Sequence, residues 1–325
     1  MTKRILAFGR LKPHHLDQLR THFHVDYFDH LESADDPAFR EALSEAHALL
    51  GASLPITSEL LDDAPHLETI SSISVGVDNY PVDELTQRNI LLCHTPDVLT
   101  ETTADTGFLL IMASARRAVE LANMVKQGQW TSSIGEPHFG TDVHGKTLGM
   151  VGFGRIGQAI ARRGALGFGM QVLYTHASPK PALEEELGAT HCEFDALLEQ
   201  ADFVCVNVPL TAETTGLIDA DVLKRMKSSA ILINIARGKV VDEQALIEAL
   251  SNGEILAAGL DVFAQEPLPG DSPLTRMDNV VTLPHIGSAT HETREAMAQR
   301  AVDNVIAALQ GQQPPSPYND VTPRG

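Results

Sequence analysis

Three observations in this sequence predict two doubly wound α/β domains, each built on a parallel sheet. Short apolar runs alternate with helix-length amphipathic stretches along most of its 325 residues. Several runs, such as AILINIA (230–236), are apolar throughout, as strands buried on both faces are. The run KTLGMVGFGRIG (146–157) sets a glycine turn between an apolar strand and a helical repeat carrying Ile160, Ala161 and Leu166. The length exceeds what one core usually holds, so two domains are expected.

Taken in order, KRILAFG, a helix on Leu16, Leu19 and Phe23, and HVDYF make the first unit, and Ala38–Glu45 with HALLGA the next. HLETISSIS and NILLCHTP, separated by the helix-length DELTQR, complete a small parallel sheet with no phosphate-binding glycine turn. The loop Ser74–Asn79 follows a strand taken to end at Gly76, whose bare amides would lie at the carboxyl edge, where open α/β sheets bind ligands. From Thr100 to Lys126 the spacing of Leu109, Ile111, Met112, Val119, Leu121 and Val125 predicts one long helix able to cross between domains. The aperiodic stretch after Gly128, QWTSSIGEPHFGTDVHG, is long enough to suggest a functional loop or one covered by another chain.

Beyond the glycine turn, MQVLYTH, ATHCE, DFVCVNVPL, AILINIA, ILAAGLDVF and NVVTLPHIG read as strands with helices between most of them. A last helix from about Thr290 to Gln310 carries Met297, Ala301, Val305 and Leu309, and GQQPPSPYNDVTPRG reads as an extended surface tail. That helix returns to the first domain if the second is an insertion. The expected organisation is therefore 1–99 plus 290–325, and 100–289, with hinges near Thr100 and Ala289 allowing the two to close.

Composition narrows the partners. A net charge of −19 would repel nucleic acid and anionic membranes, so neither is expected, and a site for a small anion must supply its own positive charge. No apolar run reaches membrane-helix length, MTKRILAFGR is too short and polar for a secretory signal, and Cys93, Cys192 and Cys205 lack metal or redox spacing. Buried reduced thiols, no metal and a cytoplasmic location are the expectations.

The glycines have separable physical roles. Gly152 permits the tight turn, Gly154 lets backbone approach a pyrophosphate, and Gly157 lets the helix lie close on the strand. The amides of Arg155 and Ile156 would meet the phosphates at the positive end of that helix. At later strand ends stand Arg237, Asp261 with Glu266, and His285. A 2-keto acid needs a cation to hold its carboxylate and polarise its carbonyl, which a guanidinium does with two parallel hydrogen bonds. It needs a proton donor at the carbonyl oxygen, which imidazole supplies near neutral pH, and a carboxylate behind the ring to orient it. Arg237, His285 and Glu266 fit those roles.

ISVGVDN, the glycine turn, NIARGKVVDEQALIEAL, AAGLDVFAQEPL and NVVTLPHIGSAT together resemble the D-isomer-specific 2-hydroxyacid dehydrogenase family over essentially the whole chain. TDVHGKTLGMVGFGRIG and PHIGSATHETR are most similar to its glyoxylate/hydroxypyruvate reductases that also reduce 2-ketogluconate. The resemblance implies a Rossmann dinucleotide-binding domain inserted in a flavodoxin-like substrate domain. It implies His285 as acid/base, Glu266 as its partner, Arg237 as substrate clamp, amides of Val75 and Gly76 on the substrate carboxylate, and Leu54 over the substrate. Thr103, Arg155, Ile156, Val208, Pro209, Thr214, Ile235, Asp261, His285 and Gly287 match cofactor positions, with Asp261 at the nicotinamide amide. A homodimer through the nucleotide domains is implied, with about 129–145 as its arm. Related dehydrogenases of phosphite, formate or phosphoglycerate, a 2-keto-6-phosphogluconate reductase, and nucleotide-sensing corepressors that keep the same three residues are the alternatives.

In members specific for NAD an acidic residue ends the second strand of the nucleotide domain. Here that place holds Thr175, followed by His176, Ala177, Ser178, Pro179 and Lys180. Hydroxyls and a cation suit a ribose 2′-phosphate, so NADPH is expected over NADH, although the arginine usual in NADP enzymes is missing.

Overall fold

A computed structural model describes residues 2–52 and 54–324; Met1, Ser53 and Gly325 lie outside the described residues. The chain divides into two compact units, residues 1–99 with 290–325 and residues 100–289. The first begins with β1 (Arg4–Phe8), α1 (Pro13–Arg20), β2 (His24–Phe28), α2 (Pro37–Ser44), β3 (Ala48–Gly51), α3 (Ser58–Asp62), β4 (Thr69–Ser72), α4 (Val82–Gln87) and β5 (Leu91–Cys93). Its sheet runs β2-β1-β3-β4-β5, all parallel, the flavodoxin-like order.

The second unit starts with α5 (Thr100–Ala115) and α6 (Ala118–Lys126) and continues through β6 (Thr147–Val151), α7 (Arg155–Arg162), β7 (Gln171–Thr175), α8 (Pro181–Leu187), β8 (Thr190–His191), α9 (Phe194–Gln200), β9 (Phe203–Val206), α10 (Ala220–Arg225), β10 (Ile231–Asn234), α11 (Glu243–Asn252), β11 (Ala257–Leu260) and β12 (Val280–Thr282). Its parallel sheet runs β12-β11-β10-β9-β6-β7-β8, the Rossmann order with one further strand. Strand order reverses between β6 and β9, which places the glycine turn at the switch point. Ile231, Leu232 and Ile233 are fully buried, because a parallel strand has helices on both faces. Helix α12 (His291–Leu309) then returns to the first unit and packs on β3, β4 and β5, where the Ser71 hydroxyl donates to the Ala301 carbonyl at 3.0 Å.

Three expectations are corrected. The single helix over 100–126 is two helices, because Arg117 adopts a left-handed conformation (φ 51°) as the N-cap of α6. Thr141 donates to the freed Ala115 carbonyl at 2.8 Å, and Arg117 ion-pairs with Glu120 at 2.6 Å. Leu166 does not continue the apolar face of α7; the helix relaxes into a π turn over 163–167 and Leu166 is 68% exposed. β4 ends at Ser72, so Gly76 lies in the loop beyond it. Among the cysteines, Cys93 and Cys205 are buried and Cys192 is half-buried, all free thiols; burial pushes the first two up to about 12.

A polar brace joins the start of α1 to the first turns of α12. Glu295 Oε2 pairs with Lys12 Nζ at 2.7 Å, while Oε1 lies 2.6 Å from His14 Nε2 and 3.1 Å from the Nε2 of the fully buried His15. His15 Nδ1 accepts the Lys12 amide at 3.2 Å, so the neutral ring carries its proton on Nε2 and has no lone pair there for a metal. His14, His15 and Glu295, the one three-ligand group of metal type among the described residues, therefore read as a polar tie whose ion pair is that of Glu295 with Lys12. Lys12 first, with His14 and His15 adding to it, lowers the Glu295 carboxyl from its ordinary 4.5 to about 2. A depressed carboxylate stabilises the fold above its unfolded pKa and loses that contribution as pH falls through its folded one. Glu295→Gln should thus lower the melting temperature at pH 7, and the gap to the parent protein should close between about pH 4.5 and pH 2. A gap that persists at pH 2 would show the ion pair is not its source.

Candidate functional site

In the second unit the site grows from the carboxyl ends of its parallel strands. β6 exits into Gly152, whose φ of +93° only glycine adopts freely, and a Cβ there would meet the Asn207 carbonyl oxygen at 2.6 Å and Val208 at 2.8 Å. A Cβ on Gly157 would lie 2.6 Å from the Gly152 oxygen, so α7 can approach β6 only without one. A Cβ on Gly154 would point into open space, meeting nothing within 4 Å beyond its chain neighbours, beside the first amides of α7. This is the cradle a pyrophosphate needs. After β9, Thr214 shapes the adjoining loop: its hydroxyl donates to the Pro209 carbonyl at 2.6 Å and accepts the Thr211 amide at 2.8 Å.

No carboxylate ends β7. Thr175 and His176 are half-buried, Ala177, Ser178 and Pro179 exposed and Lys180 half-buried. Burial, then the charges of Lys180 and His191, lower the His176 pKa, and no acidic group offsets them. The Lys180 charge and the hydroxyls of Thr175 and Ser178 suit a phosphate dianion, and residues 175–180 hold no carboxylate to accept from two ribose hydroxyls.

Arg237 follows β10 under the control of Asn234, a buried residue that the sequence reading passed over. Asn234 Nδ2 donates to the Arg237 carbonyl at 3.0 Å and its Oδ1 accepts the Ala236 amide at 3.0 Å, while Arg237 Nη1 donates to the Ala236 carbonyl at 2.8 Å. The available signal was one amide inside the otherwise apolar AILINIA. Ile235 beside it is buried.

Asp261, 2% exposed, caps the next strand end. Its Oδ1 accepts the Ile286 amide at 2.7 Å and its Oδ2 the Gly287 amide at 2.9 Å. Burial raises its pKa, with these two amides pulling the other way. Gly287 is wedged between this carboxylate and Thr103, since a Cβ would meet Thr103 at 3.2 Å and Asp261 at 3.3 Å. Thr103, Asp261 and Gly287 are thus brought together.

The clamp on residues 286–287 fixes His285, which holds a left-handed φ of 53°. Its Nδ1 lies 2.8 Å from Glu266 Oε2, and Glu266 Oε1 accepts the Phe263 amide at 3.0 Å. With Nδ1 donating to the carboxylate, Nε2 is the nitrogen left for proton exchange. The pair edges a depression of about 510 Å³ lined by Phe263, Pro267, Leu268, Thr282, Leu283 and Pro284.

In the first unit, Val75 and Gly76 lie half-buried in the loop after β4, which is braced by His94 Nδ1 donating to the Val75 carbonyl at 3.0 Å and the Thr95 amide donating to Ser74 at 2.9 Å. Leu54 is 8% exposed and belongs to that unit's core with Phe8, Phe39 and Leu60.

Residues 108–287 match the family model described as D-isomer specific 2-hydroxyacid dehydrogenase, NAD binding domain. The chain is 55% identical over 294 residues to glyoxylate/hydroxypyruvate reductase B of Yersinia enterocolitica, covering 90% of each, and 54% identical over 311 residues to its namesake from Escherichia fergusonii, covering 96% of each. Among solved structures it is similar to an NADPH-dependent glyoxylate/hydroxypyruvate reductase from Sinorhizobium meliloti in complex with NADP and malonate, at 34% identity and a TM-score of 0.88, covering 100% of this chain and 99% of that one.

Removing the amide that pins the arginine segment tests its role. Asn234→Leu leaves the Ala236 amide and Arg237 carbonyl without their partner, and unfolding free energy measured by denaturant should fall by about 1–3 kcal/mol. An unchanged value would mean the segment is held by other contacts.

Proposed function

This chain belongs to the D-isomer-specific 2-hydroxyacid dehydrogenase family, and from that premise we propose that it reduces small 2-keto acids, glyoxylate and hydroxypyruvate first among them, to D-2-hydroxy acids with NADPH. The observation that carries this reading is the 2.8 Å pairing of His285 Nδ1 with Glu266 Oε2 beside a depression at the carboxyl edge of the nucleotide-binding sheet.

Bound NADPH supplies the hydride that reduces the keto carbon. Glu266 keeps the His285 ring in the tautomer and orientation that expose Nε2, and stabilises the charged imidazolium that delivers a proton to the substrate oxygen. Arg237 holds the carboxylate and offsets charge growing on that oxygen. The amides of Val75 and Gly76 are assigned to the same carboxylate. Leu54, packed in its own core, would bear on substrate size from the same unit as this loop. On the coenzyme, Gly152, Gly154, Arg155, Ile156 and Gly157 would take the pyrophosphate. Thr175, His176, Ser178 and Lys180 would take the 2′-phosphate, and Val208, Pro209, Thr214 and Ile235 would line the rest of the coenzyme site. Thr103, Asp261 and Gly287 would flank the nicotinamide. Because both Asp261 oxygens already accept backbone amides, its main contribution would be to set the 285–287 backbone.

A homodimer is supported by large apolar side chains exposed on α5, α6 and the 129–145 arm: Leu109, Val119, Val125, Trp130 (59%), Ile134 and Phe139 (62%). No described helix is long and apolar enough to cross a membrane. The three free thiols fit a reducing cytoplasm.

His285→Ala should cut turnover by roughly 10²- to 10⁴-fold with little change in NADPH affinity; unchanged turnover removes His285 from the chemistry. An assay of glyoxylate, hydroxypyruvate, 2-ketogluconate and its 6-phosphate with both coenzymes tests the substrate class. Catalytic efficiency with NADH equal to or above that with NADPH would overturn the coenzyme assignment.

A further inference from the structure

Resting on the NADPH reading above, we propose that Tyr174 and His191 are positioning residues for coenzyme choice, each anchoring one end of the 176–180 loop. Neither belongs to the phosphate-facing set; both act through the backbone of residues that do.

Tyr174 is the last fully buried side chain of β7. Its ring stacks on Phe153, between Gly152 and Gly154, with centroids 4.0 Å apart and planes 20° from parallel. Its hydroxyl accepts the Lys180 amide at 2.7 Å and donates to Glu184 Oε1 at 2.7 Å, so both capacities of the oxygen are used. One side chain thus ties the glycine turn to the far end of the loop.

His191, on β8, holds the near end. Its Nε2 donates to the His176 carbonyl at 3.0 Å, and its ring lies 5.1 Å from that of Tyr174. Between the anchors, His176 Nδ1 accepts the Ala177 amide at 2.8 Å, so the neutral ring carries its proton on Nε2 and offers a donor there. Lys180 is close enough to His176 for its charge to act on that ring. With both ends fixed, a cation and a ring donor are held together without the arginine found in other NADP enzymes. Pre-organisation replaces the strength of a single bidentate contact.

The test measures binding to the enzyme without substrate, using 2′,5′-ADP and 5′-AMP as probes in calorimetry. The parent protein should prefer 2′,5′-ADP. Tyr174→Phe keeps the stack on Phe153 and removes only the hydroxyl; 2′,5′-ADP should weaken about five- to tenfold, the value of one buried hydrogen bond, with AMP affinity unchanged within about twofold. His191→Phe reads the other anchor independently and should act in the same sense. In turnover, KM for NADPH should rise with kcat and KM for the keto acid unaltered. Equal weakening of both probes would mark a merely structural role, and an unchanged ratio in both variants would overturn the proposal while leaving the NADPH reading intact. A parent protein that does not discriminate between the probes overturns both.

Discussion

In each unit every strand runs parallel to its neighbours, and this single constraint decides where chemistry can occur. Parallel strands need a crossover after each one, so all the carboxyl ends fall on one edge and every loop leaving that edge faces the same space. The glycine turn, the 176–180 loop, Arg237, Asp261 and His285 are separated by as much as 133 positions in sequence, from Gly152 to His285, yet each begins where a strand of one sheet ends. Gly149, Gly152 and Gly157 mark where helices or loops come too close to this sheet for any side chain.

Alignment of strands alone does not place a functional group; the polar residues just beyond the strand ends do. Asp261 and Asn234 give both ends of their side chains to backbone amides and carbonyls within two residues of a reacting side chain, and Glu266 divides its carboxylate between the Phe263 amide and the His285 ring. Asn234 and Asp261 are buried, where an unpaired polar group is costly, so their pairings hold the backbone that carries Arg237 and His285. A left-handed His285 persists only because the amides that follow it are clamped.

Much of this is legible in the sequence. The glycine spacing, the apolar runs and the order of Arg237, Glu266 and His285 are local patterns, and local patterns report strand ends well. What the pattern hides is long-range. The apolar period runs unbroken through Arg116 and Arg117, yet the helix breaks at the left-handed Arg117, where Thr141, two dozen residues on, takes the freed Ala115 carbonyl and Gly140 packs against the same turn. Leu166 fits a helical face that the π turn has already rotated away. Asn234 and Tyr174 look like ordinary strand residues, since their importance lies in which backbone atoms they reach after folding.

The first unit is closed by residues 290–325, whose helix covers its sheet and whose Asn319 side chain accepts the Leu92 amide and donates to the Ile90 carbonyl. A ribosome making this chain therefore releases all the strands of that sheet long before the helix that shields them. The inserted unit, contiguous over 100–289, is complete earlier and is able to mature first, as domains do during synthesis. Until residues 290–325 have been made, one flank of the opening sheet stays bare, and its apolar strands wait exposed for the helix that covers them.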